Sequence, residues 1–418
     1  MSAGGYFALF DDDGGNALLL SDIRRSHQLD GAADPKALFA TLEAATAAGE
    51  WVVLAADYAL GASFEPSLAR PPPGRPVLRA WVFAKGRRLD ARAVGAFLAE
   101  RLAALPEHRR FAGIADLSSA VDAAKHGTQV REICRWIADG DCYQVNLTFP
   151  LTFQVYGDPL ALYARLRERQ PVRYGGYIFT AEETILSFSP ELFFERRGSR
   201  VLTRPMKGTA ARGATPQDDA AQRAGLLASA KERAENVMIV DLLRNDLGRL
   251  ASPGQVRVDA LFETEAYPTL WQMVSTVAAE LPGTGLADLF GALFPCGSIT
   301  GAPKISAMQK IAELEQTPRG LYTGTLGWLA PGGDCRFNVA IRTVELAAGQ
   351  RGKLGVGSGI VADADPAREY AECLLKASFL TSFDPGSELF ETLRLENGAY
   401  PLRTLLLGRS QAPARTLA

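Results

Sequence analysis

The chain has 418 residues, 47% of them hydrophobic and 22% charged, with a formal net charge of −2. That length and those proportions suit a globular protein of two to three domains, or one large domain, and give no basic field for nucleic acid. No apolar stretch is long enough to span a bilayer, the N-terminus lacks signal-peptide character, and the five cysteines form no CxxC pair, so a reduced cytoplasmic protein without zinc or disulfides is expected.

Residues 1 to about 115 read as a mixed region, with a strand at Trp51–Ala56, a Pro-rich loop from Arg70 to Pro76 and a helix from Asp90 to Leu105. A denser region follows from about 116 to 384. Val121 to Asp139 has the spacing of an amphipathic helix closed by Gly140. Tyr143–Phe149 alternates as a strand, and Tyr177–Thr180, Thr184–Phe188 and Leu192–Arg196 are further strand candidates. Asp218 to Leu243 reads as one long helix. Gly297 to Lys304 is a Gly/Ser loop running into a helix that ends near Glu315. Gly324 to Val361 is strand-rich, with turns at Pro331-Gly332-Gly333 and Ala348-Gly349. Asp365-Pro366 opens a helix with Asp as N-cap and Pro at the first helical position.

Two carboxylate pairs stand out: Glu232 with Glu235, and Glu369 with Glu372. Residues three apart share a helix face. Four carboxylates on two helices suit Mg²⁺, a hard cation that keeps several waters; either pair alone also reads as a solvated acidic face. The loop Gly297-Ser298-Ile299-Thr300-Gly301 and the run Gly357-Ser358-Gly359 can bring backbone amides close to an anion, or be ordinary turns. Neither matches a nucleotide-binding motif. With Arg342 and Lys376 as nearby cations, the set points to a small dicarboxylate substrate. The three histidines (His27, His108, His126) lie outside the motif-rich half, and no cysteine sits in a nucleophile elbow. A Ser-His-Asp or Cys-His hydrolase is therefore not expected, nor is glutamine hydrolysis by this chain.

The ordered motifs Gly140-Asp141-Cys142-Tyr143-Gln144-Val145-Asn146-Leu147, Ser187-Phe188-Ser189-Pro190-Glu191, Pro205-Met206-Lys207-Gly208-Thr209, Glu232 through Arg249, Gly297 through Lys304, Arg319 through Gly324, Ile341-Arg342 and Gly355 through Lys376 resemble the chorismate-utilising enzymes. The resemblance covers residues 120 to 380 strongly, and residues 1–115 weakly, as an N-terminal region of the anthranilate synthase component I type. It implies an α+β fold of two stacked, mostly antiparallel sheets flanked by helices. Isochorismate-forming members carry a water-activating lysine where this chain has Gln144. Anthranilate synthases carry alanine where it has Lys207. Gln144 with Lys207 is similar to the aminodeoxychorismate synthases, in which that lysine is the nucleophile and the residue at Glu191 the general acid.

The same resemblance implies Mg²⁺ held directly by Glu235 and Glu372 and through water by Glu232 and Glu369. Tyr322, Arg342 and the Gly359 amide are then expected on the ring carboxylate of chorismate. Lys376 and the Ser298/Thr300 loop are expected on the enolpyruvyl carboxylate, with Gln144, Thr209, Gly357 and Ser358 completing the pocket. Ammonia is expected from a separate glutamine amidotransferase subunit. An anthranilate synthase and a non-catalytic binder of chorismate or Mg²⁺ are the alternatives. Two positions depart from the family pattern: Ala211 replaces a proline after the lysine loop, and Gln272 replaces a histidine. Residues 385–418 resemble, up to Leu402, the opening of a fused aminodeoxychorismate lyase, and read as a truncated, disordered tail without pyridoxal phosphate.

Overall fold

The computed structural model describes residues 5–71, 73–267 and 270–383. The tail expected to resemble a lyase lies outside them. The strands are β1 (Phe7–Asp11), β2 (Ala17–Asp30), β3 (Trp51–Ala56), β4 (Pro76–Leu89), β5 (Gly113–Ser119), β6 (Gln144–Tyr156), β7 (Gly176–Phe179), β8 (Thr184–Ser187) and β9 (Leu192–Arg197), followed by β10 (Arg200–Arg204), β11 (Met206–Ala211), β12 (Val256–Ala266), β13 (Leu270–Glu280), β14 (Gly301–Ala302), β15 (Thr325–Leu329), β16 (Cys335–Val339), β17 (Thr343–Leu346) and β18 (Arg351–Ile360). The helices are α1 (Pro35–Ala47), α2 (Ala91–Ala103), α3 (Glu107–Arg110), α4 (Ala123–Ala138), α5 (Pro159–Arg169), α6 (Pro216–Ala228), α7 (Ala230–Gly248), α8 (Leu286–Leu293), α9 (Lys304–Leu314) and α10 (Pro366–Thr381).

All the strand pairings are antiparallel, and they join end to end. From β6 the ladder runs through β18, β17, β8, β7, β1 and β2, crosses to β4, and continues through β3, β15, β16, β9 and β10 to β13. Beyond the ends, β5 and β14 pair with β6, while β11 and β12 pair with β13. Side-chain alternation then explains the layering. In β1, Ala8 and Phe10 face one cluster and Phe7 and Leu9 another; in β3, Val53 and Ala55 separate from Val52, Leu54 and Ala56 in the same way. Ala8, Phe10, Leu18 and Leu20 from one half of the ladder pack with Val53, Ala55, Trp81 and Phe83 from the other. The two stacked sheets expected are thus two halves of one continuous sheet folded at the β2–β4 pairing. Helices α2, α5 and α10 cover one outer face, and α1, α7 and α8 the other, giving the α+β class. No described helix is long and apolar enough to cross a membrane.

Most expected elements sit where the spacing puts them. The long helix of residues 218–243 does not: it is two helices, broken at Ser229, whose backbone leaves the helical region (φ −64°, ψ 112°) and whose side chain accepts from the Glu232 amide as the N-cap of α7. That break starts a new helix just before Glu232 and Glu235, in the first turns of α7. Residues 1–383 form one compact unit, and residue 115 lies inside β5.

Candidate active site

Lys207 sits in a bulge. In the β11–β13 pairing Met206 opposes Val274 and Thr209 opposes Gln272, so Lys207 and Gly208 together face one residue. Gly208 has a φ of +93°, and a Cβ there would lie 3.0 Å from Glu232 Oε2. The bulge is tied on both sides. Asn236 Nδ2 donates to the Lys207 carbonyl at 3.5 Å, and Asn236 Oδ1 accepts from Ser275 Oγ at 2.6 Å. Gln272 Nε2 donates to the Gly208 carbonyl at 2.9 Å, and Gln272 Oε1 accepts from Thr209 Oγ1 at 3.1 Å. Gln272, at the position of the missing histidine, therefore splints the backbone. The strand after the bulge is also held despite Ala211: Ala211 pairs with Leu270, and Arg212 makes a two-pronged bond to Asp219 while its guanidinium stacks 4.7 Å from the Trp271 ring.

The Lys207 amine is held below the ordinary lysine range, by burial first and then by Lys376; Glu191, Glu235 and Glu372 act in the opposite direction. The bulge of β11, the loop before β9, α7 and α10 thus converge on one amine. Here burial and a second cation favour the neutral form.

Glu191 is buried, with 5% of its surface exposed. Its backbone is pinned by Ser189 Oγ and by the Val339 amide. Burial pushes its carboxyl up to about 7, against the opposing effects of Ser298, Lys207 and the Met206 amide. Ser298 Oγ donates to Glu191 Oε1 at 2.7 Å. Sequence reasoning expected Ser298 on a substrate carboxylate, but its hydroxyl proton is already committed to Glu191.

Gln144 opens β6, and its side-chain amide fills the space a Cβ on Gly359 would need. Gly357 faces Thr148 across the β6–β18 ladder, and Gly355 makes room for the Tyr322 ring. The hydroxyl of Ser358 is buried beside Glu369 and Cys373. Lys376 Nζ donates to the Gly357 carbonyl at 2.9 Å and pairs with Glu372 at 2.7 Å. Arg342, at a φ of +48°, pairs with no carboxylate among the described residues, and burial lowers its pKa. Thr209 lies exposed on β11 with its hydroxyl on Gln272, and the Thr300 hydroxyl donates to the Cys296 carbonyl at 2.8 Å; the structure gives neither a contact with Lys207 or Glu191.

Lys304, which opens α9 after the Gly/Ser loop, is spent on α7 and α8: its Nζ pairs with Asp246 at 2.6 Å and donates to the Leu293 carbonyl at 3.2 Å. A part-buried pair given no role by sequence reasoning thus ties α9 to α7. Arg319 bonds both oxygens of Glu315, the Asn146 carbonyl at 2.7 Å and Thr323 Oγ1 at 3.2 Å, while Glu315 accepts from the amide and hydroxyl of Thr148. The i,i+4 spacing of Glu315 and Arg319 was the available signal, hidden because α9 ends at Leu314.

Burial first, and then the neighbouring Glu235, raises the carboxyl of Glu232 on α7; burial first, and then Glu372, raises that of Glu369 on α10. Among the described residues no three His, Cys, Asp or Glu side chains are placed to hold a metal ion by themselves. A hydrated Mg²⁺ needs only one or two carboxylates, the rest of its shell being water and substrate oxygen. The all-carboxylate set bordering Lys207 fits that chemistry.

The sequence matches the chorismate binding enzyme family over residues 17–382. The chain belongs to that family. It is 43% identical over 255 residues to aminodeoxychorismate synthase component 1 of Klebsiella aerogenes, covering 61% of this chain and 56% of that protein. It is 43% identical over 249 residues to the protein of the same name from Bacillus subtilis, covering 59% and 53%. The chain spans about half the length of these relatives. Among solved structures, anthranilate synthase component I from Streptococcus pneumoniae superposes with a TM-score of 0.72 at 25% identity, covering 91% of each chain. The isochorismate synthase DhbC from Bacillus anthracis gives 0.70 at 22% identity, covering 90% of this chain and 95% of that one, a likeness of fold.

Proposed function

We propose that this family member aminates chorismate to 4-amino-4-deoxychorismate, in para-aminobenzoate and folate biosynthesis, using ammonia from a separate glutamine amidotransferase. The observation that carries the reading is the convergence of Lys207, presented by the β11 bulge, and the buried Glu191 on one site, where burial holds the amine down and pushes the carboxyl up to about 7. One can attack while the other still has a proton to give.

Neutral Lys207 adds to C2 of the ring, the double bond shifts, and the C4 hydroxyl departs as water with the proton of Glu191. Ammonia adds at C4, the double bond shifts back, and the Lys207 amine is expelled as the new amine loses its proton; the sum is chorismate plus ammonia giving aminodeoxychorismate plus water. Gln144, an amide, offers no base to activate water at C2, which favours the amine. Glu235 and Glu372, with Glu232 and Glu369 behind, would hold Mg²⁺, which when bound supplies Lewis-acid charge to the ring carboxylate. Arg342, which pairs with no carboxylate among the described residues, is the cation for that carboxylate, with Tyr322 as a further contact. Names of relatives such as component 1 support a partner that supplies the second half of the reaction.

Incubation with chorismate, Mg²⁺ and ammonium salts should give a product with the mass of aminodeoxychorismate and no pyruvate. Release of pyruvate with an aromatic amine would overturn the reading in favour of the anthranilate type. Lys207→Ala should abolish the covalent chorismate adduct seen by mass spectrometry; an adduct of unchanged yield would remove Lys207 as the nucleophile.

A further inference from the structure

The turn of residues 297–299 is fixed more firmly than a substrate-binding loop requires. Asn146 Nδ2 donates to the Ser298 carbonyl at 3.4 Å, Arg319 reaches the Ile299 carbonyl at 3.4 Å, and Thr300 Oγ1 donates back to the Cys296 carbonyl. Gly297 lies so close to Leu242 of α7 that a Cβ would run into that side chain. Contacts from β6, from α7, from Arg319 and within the turn itself thus immobilise the segment that carries one hydroxyl, and that hydroxyl lies 2.7 Å from Glu191 Oε1. On its other side, Ser298 Oγ lies 3.2 Å from Cys296 Sγ. Both contacts are buried.

The direction of the bonds is set by chemistry. Burial pushes the Cys296 thiol up to about 12, so it keeps its hydrogen at neutral pH and can donate to Ser298. A serine hydroxyl has one hydrogen to give, and here it goes to Oε1. An oxygen that accepts a short hydrogen bond is the poorer place for the acid proton. We propose that Ser298 is a positioning residue for Glu191, holding Oε1 as acceptor so that the acid proton resides on Oε2, and is not a ligand of a substrate carboxylate. This rests on the reading of Glu191 as the general acid. The groups facing Glu191 are Ser298 and Cys296 from the turn, and Lys207 with the Met206 amide from β11. Among the described residues Ser298 alone bonds its carboxyl through a side chain; removing that hydroxyl also frees the Cys296 thiol, which keeps its hydrogen at neutral pH.

The test compares Ser298→Ala and Ser298→Thr with the unmodified protein. A hydrogen bond to the carboxylate stabilises the charged form, so the alanine variant should move the alkaline limb of kcat/KM upward by about one pH unit. It should lower kcat roughly 10-fold to 100-fold, within what a mispositioned acid loses, and leave KM for chorismate within about threefold. Threonine, which keeps the hydroxyl, should restore both. A raised KM with unchanged kcat, or an unmoved alkaline limb, overturns the proposal. Glu191 can also be titrated without turnover, by ¹³C NMR of carboxyl-labelled glutamate with Glu191→Gln as the blank. A Glu191 titration identical in the parent and alanine proteins overturns the proposal even if no amino product is ever formed, whereas absence of product from the parent protein strikes only at the proposed reaction. Should the alanine variant fold poorly, Ser298→Cys, a weaker donor of similar size, should shift the titration in the same direction, and no shift there is equally decisive against it.

Discussion

At the scale of single residues, the buried site moves two titrations toward each other. Lys207 loses its proton more readily than a solvated lysine, and Glu191 keeps its proton to about 7. The rate should therefore fall both where Lys207 protonates and, near 7, where Glu191 ionises; Glu191→Gln should erase the limb near 7 along with most of the rate. Stability follows the same logic with a definite sign. A carboxyl whose folded pKa lies above its unfolded value near 4.5 favours folding most below the lower value, and loses that advantage as pH rises through about 7. Glu191→Gln removes the ionisation altogether. Its melting temperature should gain on the parent protein between pH 5 and pH 8, with a difference of up to about 3 kcal/mol; parallel melting curves at both pH values would contradict the burial argument. The candidate residues for the proposed chemistry were legible in the sequence because Lys207, Glu191 and Gln144 sit in ordered motifs. The commitment of Ser298 to Glu191 and of Lys304 to Asp246 was not, because each depends on a partner far away in the chain.

At the scale of elements, small residues decide how closely the strands and helices of the site approach. Gly359 has no Cβ because the Gln144 amide occupies that space. Gly359→Ala should displace Gln144, weaken chorismate binding measured by calorimetry, and destabilise the protein by about 1–3 kcal/mol. Ser229 has a separate task. Its hydroxyl caps α7, so Ser229→Ala should cost roughly 1 kcal/mol and loosen the first turns, where Glu232 and Glu235 reside. A normal melting temperature would show that α6 and α7 need no cap. Hydrophobic spacing alone ran through this break because apolar residues continue on both sides of it. The kink arises from one side chain competing for a backbone amide, a local signal that a periodicity count averages away. By contrast Asp365-Pro366 was legible because cap and proline are adjacent in sequence, and Asp365 does accept from the Arg368 amide at 2.9 Å.

At the scale of the whole molecule, the first hundred residues were the least legible. β2 and β4 are long strands paired over most of their length, yet charged residues, such as Arg24-Arg25 in the middle of β2 and Arg87-Arg88 near the end of β4, obscure the alternation. They are also the crossing point of the sheet. Removing residues 1–115 would strip the pairing edge of β7, which borders β1, and of β15, which borders β3. A fragment of residues 116–384 should therefore lack a near-UV circular dichroism signature and associate in size-exclusion chromatography. A monomeric, chorismate-binding fragment would show that the later region folds by itself.

The pairing of β3 with β15 sets a timetable for synthesis. β3 is apolar on both faces, and the strand that covers its outer edge lies roughly 270 residues further along the chain. At ribosomal speeds of about 5–20 residues per second, that edge stays open for tens of seconds before its mate exists. A nascent chain in that interval presents a bare template for other strands. Slower growth in the cold, or a chaperone that holds unfinished chains, should then raise the yield of native protein more than any change at the site could.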